Sequence, residues 1–172
     1  MDSPDVDEAT PSRVGLRKPF LIAAVAVVVV LVDQLSKSWA VSRLSPEGSP
    51  GIHLVWTFRF RLAFNSGMAF SRGQGKGALI GGLVIAVVIA LAWFARSVND
   101  RPSLICIGLI MGGALGNLVD RLFRAGVGFL GGRVVDFAYV GWWPTFNVAD
   151  ACVVVGGIGL ALLLMRKPDT QT

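Results

Sequence analysis

Histidine is almost absent from this chain and cysteine is scarce: one His and two Cys in 172 residues. A zinc peptidase needs several nitrogen, sulfur or carboxylate ligands, and a histidine-based triad would rest on His53 alone. Cys106 and Cys152 both fall inside long apolar runs, with no cysteine or histidine at ligand spacing, where a thiol packs as a small hydrophobe. Charge is short as well. Only 16% of the residues are charged, against about 25% in a soluble domain. With 53% hydrophobic residues and a mean hydropathy of +0.65, that deficit points away from a soluble fold and towards an integral membrane protein. The net charge of +5 is scattered among arginines. No basic run or RNA-binding aromatic motif accompanies it, so lipid headgroups rather than nucleic acid are the expected anionic neighbours.

What the chain does contain is four long apolar segments. Residues 1–12 are acidic and broken by prolines, and are expected to form a disordered tail. Arg13, Arg17 and Lys18 precede an apolar run from Phe20 to Val32 that continues through Asp33, Gln34 and Lys37 to Trp39 and Ala40. Without a convincing small-residue cleavage site, it reads as a first membrane helix rather than a removable signal. Gly77 to Ala95 carries no charge and is close to the roughly 20 residues a bilayer requires. A third span runs from about Pro102 to Asp120, and a fourth from about Asn147 to Met165, closed by Arg166 and Lys167. Four spans put both termini on one side. Basic residues packed against short span ends weigh most in orientation, and the Arg96–Arg101 turn and the Arg166–Lys167 end favour a cytoplasmic N-terminus.

Between the first two spans, Trp56, Phe58, Phe60, Leu62 and Phe64 alternate with Thr57, Arg59, Arg61, Ala63 and Asn65. Such alternation predicts a strand with one apolar face, and a lone strand is unstable. The expected fold is therefore mainly α. It is a polytopic membrane protein with four transmembrane helices and a small extracytoplasmic β-sheet after the first, resting its aromatic face on the bilayer or the helices. Residues 13–167 form the membrane domain and 168–172 a short C-terminal tail.

Two aspartates stand out in the stretch Val134–Asp150. Ionisable groups beside membrane spans mark functional sites by default. Asp136 lies between Val134, Val135 and Phe137, an apolar setting that disfavours its charged form. Asp150 falls at the third position of a helix capped by Asn147, where the dipole favours negative charge, so Asp150 is expected to be the more readily ionised of the two. Such a pair can hold one proton between them and hydrolyse a peptide bond. Asp33 and Lys37 are spaced to pair along a helix. Asn117, Asp120 and Arg121 share one helical face, with Arg121 able to donate to a peptide carbonyl or to hold Asp120. Gly108, Gly112 and Gly116 form a stripe that admits a neighbouring helix. The glycines of Gly126–Gly132 suggest a flap before Asp136. A proton-relay transporter would also use paired aspartates, but these lie at a span end and no inverted repeat is visible. A serine–lysine peptidase would need Ser36 or Ser38 on the face of Lys37, which adjacent positions do not give.

Five blocks, VDQLSK at 32–37, NSGMAF at 65–70, GGALGNLVDR at 112–121, VVDF at 134–137 and FNVAD at 146–150, resemble the bacterial lipoprotein signal peptidases, also called signal peptidase II. The resemblance covers nearly all of the chain beyond the acidic tail. It implies a monomeric aspartic endopeptidase of the bacterial inner membrane that uses no metal or cofactor. Its partners would be membrane lipids and prolipoproteins, cut just before a cysteine already carrying diacylglycerol. The family's catalytic aspartates fall on Asp136 and Asp150, and its other polar positions on Asp33, Asn65, Asn117, Asp120, Arg121 and Asn147, which would orient the substrate or brace the dyad. Met68 stands where a small residue is usual in the family, a change expected to alter the lipid or signal-peptide pocket.

Overall fold

The computed structural model describes residues 17–44, 47–66, 77–126 and 128–166. Both expected tails, Met68 and Val127 lie outside the described residues. Among the described residues, four helices are long and apolar enough to cross a membrane: α1 (Arg17–Arg43), α2 (Gly77–Phe94, extended by a 3-10 turn to Ser97), α3 (Arg101–Phe123) and α4 (Val148–Met165). Each contains the expected span, and α1 and α3 run a turn or so further at the polar end. Helix α3 starts where Asp100 accepts from the Ser103 N–H at 3.0 Å, with Pro102 in the first turn, where its missing N–H removes no helical bond.

Helix α3 packs against each of the other three. Its glycine stripe explains the close approach of α1. A Cβ on Gly108 would meet Val25, one on Gly112 would lie 2.7 Å from Val29 Cβ, and one on Gly116 would meet the Asp33 carboxylate. Gly113 gives α4 the same access, because its Cβ would lie 2.4 Å from the Ala149 carbonyl. In lipid, such packing replaces the hydrophobic drive that joins helices in water. Gly112→Val is therefore expected to lower stability by about 1–3 kcal/mol through overpacking, read as an earlier thermal unfolding in detergent. Gly82→Val, where a Cβ meets nothing, is the control that should leave unfolding unchanged.

The sheet has three antiparallel strands in the order β1 (Ile52–Val55), β2 (Phe58–Asn65) and β3 (Val134–Val140). It bears out the expected small sheet and shifts the strand expected over 56–64 to Phe58–Asn65. Trp56 adopts a positive φ of 51° and turns with Thr57, so the alternating stretch splits and only its part from Phe58 onward is strand. The apolar face of β2 rests on a helix. Trp39 of α1 meets Phe60 edge-on at 5.3 Å and Phe137 at 6.3 Å, beside buried Ala40, Leu44 and Leu62. Strand β3 has no counterpart in the sequence reading. It pairs Ala63 with Asp136 and Asn65 with Val134, which carries the first suspect aspartate into the sheet. The chain then turns back. Phe146 exchanges backbone hydrogen bonds with Ala138, and Arg61 donates to Thr145 Oγ1 at 3.0–3.1 Å while lying over the Tyr139 ring. These contacts return Asn147 to the side of Asp136.

Candidate active site

Helix α4 begins with N–H groups that have no helical acceptor, and here carboxylates and an amide supply acceptors. Asn147 Oδ1 accepts from the Asp150 N–H at 2.9 Å, and Asp150 Oδ2 accepts in return from the Asn147 N–H at 3.2 Å, a reciprocal capping box. Asp33, reaching over from α1, accepts from the Ala149 N–H at 3.0 Å. The helix start is thus fixed, and Asp150 with it.

Asn147 also ties the second aspartate to the first. Its side-chain amide donates to Asp136 Oδ1 at 2.7 Å, while its backbone N–H holds Asp150. One residue therefore touches both carboxylates. Asp136 is only 2% exposed and is hydrogen-bonded by the Asn65 side chain as well. Burial, then the neighbouring charge of Asp150, push Asp136 up to about 7, against the smaller opposing effects of Asn65, Asn147 and Lys37. A carboxyl there can hold its proton at neutral pH and give it up when a stronger demand arises.

Behind the pair lies a buried polar network. Lys37, fully buried, points its ammonium at Asp33 Oδ2 at 2.7 Å, Asp120 Oδ2 at 3.0 Å and Asn117 Oδ1 at 3.0 Å. Three N–H donors meet three acceptors, so the ammonium is satisfied without water. Asn117 passes this order on: its amide donates to Asp150 Oδ1 at 2.8 Å. Asp120 accepts from the Val135 N–H at 3.1 Å, pinning β3, and Asp136 with it, to α3. Gln34 reaches Asp33 Oδ2 and Asp120 Oδ1 at 3.1 and 3.3 Å. The carboxylate charges of Asp33 and Asp120 are thereby matched by Lys37 and Arg124.

All eight site residues expected from the sequence converge here, but the role of Arg121 differs and that of Lys37 is wider than expected. Arg121 does not hold Asp120. That carboxylate is bound by Arg124 Nε at 2.6 Å and by Lys37, because position 124 lies one turn on and faces Asp120. Arg121 is instead buried near Asp136, with Nη1 lacking an acceptor among the described residues. Lys37, expected only as the partner of Asp33, joins α1 to α3. Gln34 and Arg124 were missed, although the Asp120–Arg124 spacing is itself a helical pairing signal. Ser36 Oγ donates to the Asp33 carbonyl at 2.8 Å, and the Lys37 ammonium is taken up by Asp33, Asp120 and Asn117. The segment expected as a flap packs Leu130 against Gly77 and Gly81 of α2.

A paired-aspartate site at the polar end of four membrane helices narrows the comparison with known proteins. The family model described as "Signal peptidase (SPase) II" matches residues 25–166. The chain belongs to the signal peptidase II family. It is accordingly a protease, and a multi-pass membrane protein by its four apolar helices. Among relatives named "Lipoprotein signal peptidase", that of Rhodococcus jostii (strain RHA1) is 41% identical over 167 residues, covering 94% of this chain and 81% of the relative. That of Mycobacterium tuberculosis (strain ATCC 25618 / H37Rv) is 44% identical over 156 residues, covering 91% and 76%. A bacterial membrane enzyme solved in meso at 1.9 Å resolution superposes on this peptidase with a TM-score of 0.72 at 27% identity, over 86% of this chain and 94% of that one.

Proposed function

We propose that this signal peptidase frees prolipoproteins of their signal peptides by cutting before a diacylglyceryl-modified cysteine, with Asp136 and Asp150 activating water. The observation that carries the mechanism is the single residue, Asn147, bonded to both carboxylates while Asp136 stands near 7. In the first step Asp150 accepts a proton from a water molecule whose oxygen bonds to the scissile carbonyl carbon, and neutral Asp136 donates its proton to the carbonyl oxygen. In the second, the carbonyl re-forms and returns that proton to Asp136. The C–N bond breaks, and Asp150 gives the amine the proton it took from water. Arg121, with a buried N–H that lacks an acceptor among the described residues, is placed to donate to a substrate carbonyl. Asn65, at the end of β2, and Asn117 keep the two aspartates oriented.

Arg17, Lys18, Arg96, Arg101 and Arg166 gather at the end opposite the sheet, which supports cytoplasmic termini and an extracytoplasmic site in a bacterial cell membrane. A precursor peptide carrying diacylglycerol on its cysteine, and the same peptide without lipid, separate this reading from a general membrane peptidase. Purified enzyme should release the signal peptide only from the lipidated substrate, with the new N-terminus at the modified cysteine. Equal cleavage of both would remove the proposed specificity.

A further inference from the structure

Away from the catalytic end, α1 and α2 enclose a groove floored by Met111 and Leu115 of α3, with a volume of about 960 Å³. That lies at the upper end of the roughly 300–1,000 Å³ typical of ligand sites. Its walls, including Ile22, Ala26 and Val30, are apolar, and its mouth carries Lys18 and Arg96. From Lys18 to Leu31 the groove rises roughly 20 Å along α1 at about 1.5 Å per residue, more than the roughly 15 Å of one leaflet's hydrocarbon. Lys18 donates to the uncharged Asn99 side chain, and Arg96 is exposed. The carboxylate nearest to Arg96 in sequence, Asp100, accepts from the Ser103 N–H at the start of α3. The ion pairs of Lys37, Arg124 and Arg133 lie at the sheet-bearing end.

We infer that this groove is a binding site for one anionic phospholipid of the leaflet opposite the catalytic site, its headgroup between Lys18 and Arg96 and an acyl chain along α1. Charge complementarity decides the occupant. An apolar helix such as a signal peptide would fit the walls, but signal peptides begin with a basic segment, which the two cations repel. A phosphodiester headgroup is attracted by both.

Detergent-purified enzyme mixed with equal amounts of dioleoyl phosphatidylglycerol and dioleoyl phosphatidylcholine tests this by native mass spectrometry. Wild type should retain one phosphatidylglycerol, preferred by about tenfold or more. Lys18→Ala with Arg96→Ala should remove that preference while the protein stays folded and active, since both side chains lie far from the aspartates. Ala92→Trp, which fills the groove from α2, should reduce retention of either lipid. Equal retention of the two lipids by wild type, a preference that survives the double substitution, or full retention by Ala92→Trp would each overturn the proposal. So would displacement of the lipid by an unmodified signal peptide, which would assign the groove to the substrate's apolar helix.

Discussion

Lys37→Met should lower stability by about 3–5 kcal/mol, enough to prevent most of the protein from accumulating in the membrane. The ammonium is fully buried and makes close contacts with Asp33, Asp120 and Asn117. Methionine fills much of the same volume but leaves Asp33 charged and buried with no cation, while Asp120 keeps Arg124. The loss should therefore be repaired on the Asp33 side. Lys37→Met combined with Asp33→Asn removes the stranded charge, and the oxygen of the new side-chain amide can still accept from the Ala149 N–H that caps α4. Thermal unfolding in detergent should place the double variant well above the single one, a coupling that independent sites would not show. If Lys37→Met alone unfolded as late as wild type, the network would not be holding α1 to α3.

Asp136→Asn should make the protein more stable at alkaline pH, and the sign follows from the shift. An unfolded aspartate titrates near 3.9, whereas Asp136 in the fold is pushed up to about 7. Below about pH 4 the carboxyl is protonated in both states and costs nothing. As pH rises the unfolded chain loses its proton first, so wild-type stability falls progressively and the loss is complete above about pH 7. Three pH units set an upper bound of about 4 kcal/mol. Asparagine cannot ionise, yet it can still accept from Asn147. The gap in unfolding temperature between Asp136→Asn and wild type should be small at pH 5 and largest at pH 8. A gap that shrank towards pH 8 would contradict a raised Asp136.

The helices were legible because lipid demands long uncharged runs, and the α4 cap because Asn147 and Asp150 have capping-box spacing. The glycine stripe was legible too, since only close approach explains small residues every turn. Strand β3 was not. Val134 to Ala138 are buried without a break, so the stretch lacks the alternation that marked β2. The turn at Trp56–Thr57 escaped because neither residue signals a positive φ; the pairing of β1 with β2 imposes it. Arg124 was overlooked although it lies four residues after Asp120, a helical pairing distance; it takes the Asp120 carboxylate while Arg121 lies near Asp136. Lys37 was visible as half of an ion pair, but its bonds to Asn117 and Asp120 join residues some eighty positions apart, which no local pattern encodes.

The catalytic pair itself is tested most directly by the cleavage rates of wild type, Asp136→Asn and Asp150→Asn on one lipidated precursor peptide, with folding of each variant checked by thermal unfolding. Both substitutions keep an acceptor for Asn147 and remove a group that must move a proton, so both folded variants should cleave at least about a thousandfold more slowly. A folded variant of either aspartate that kept a tenth of wild-type activity would show that the proton transfers do not run through Asp136 and Asp150.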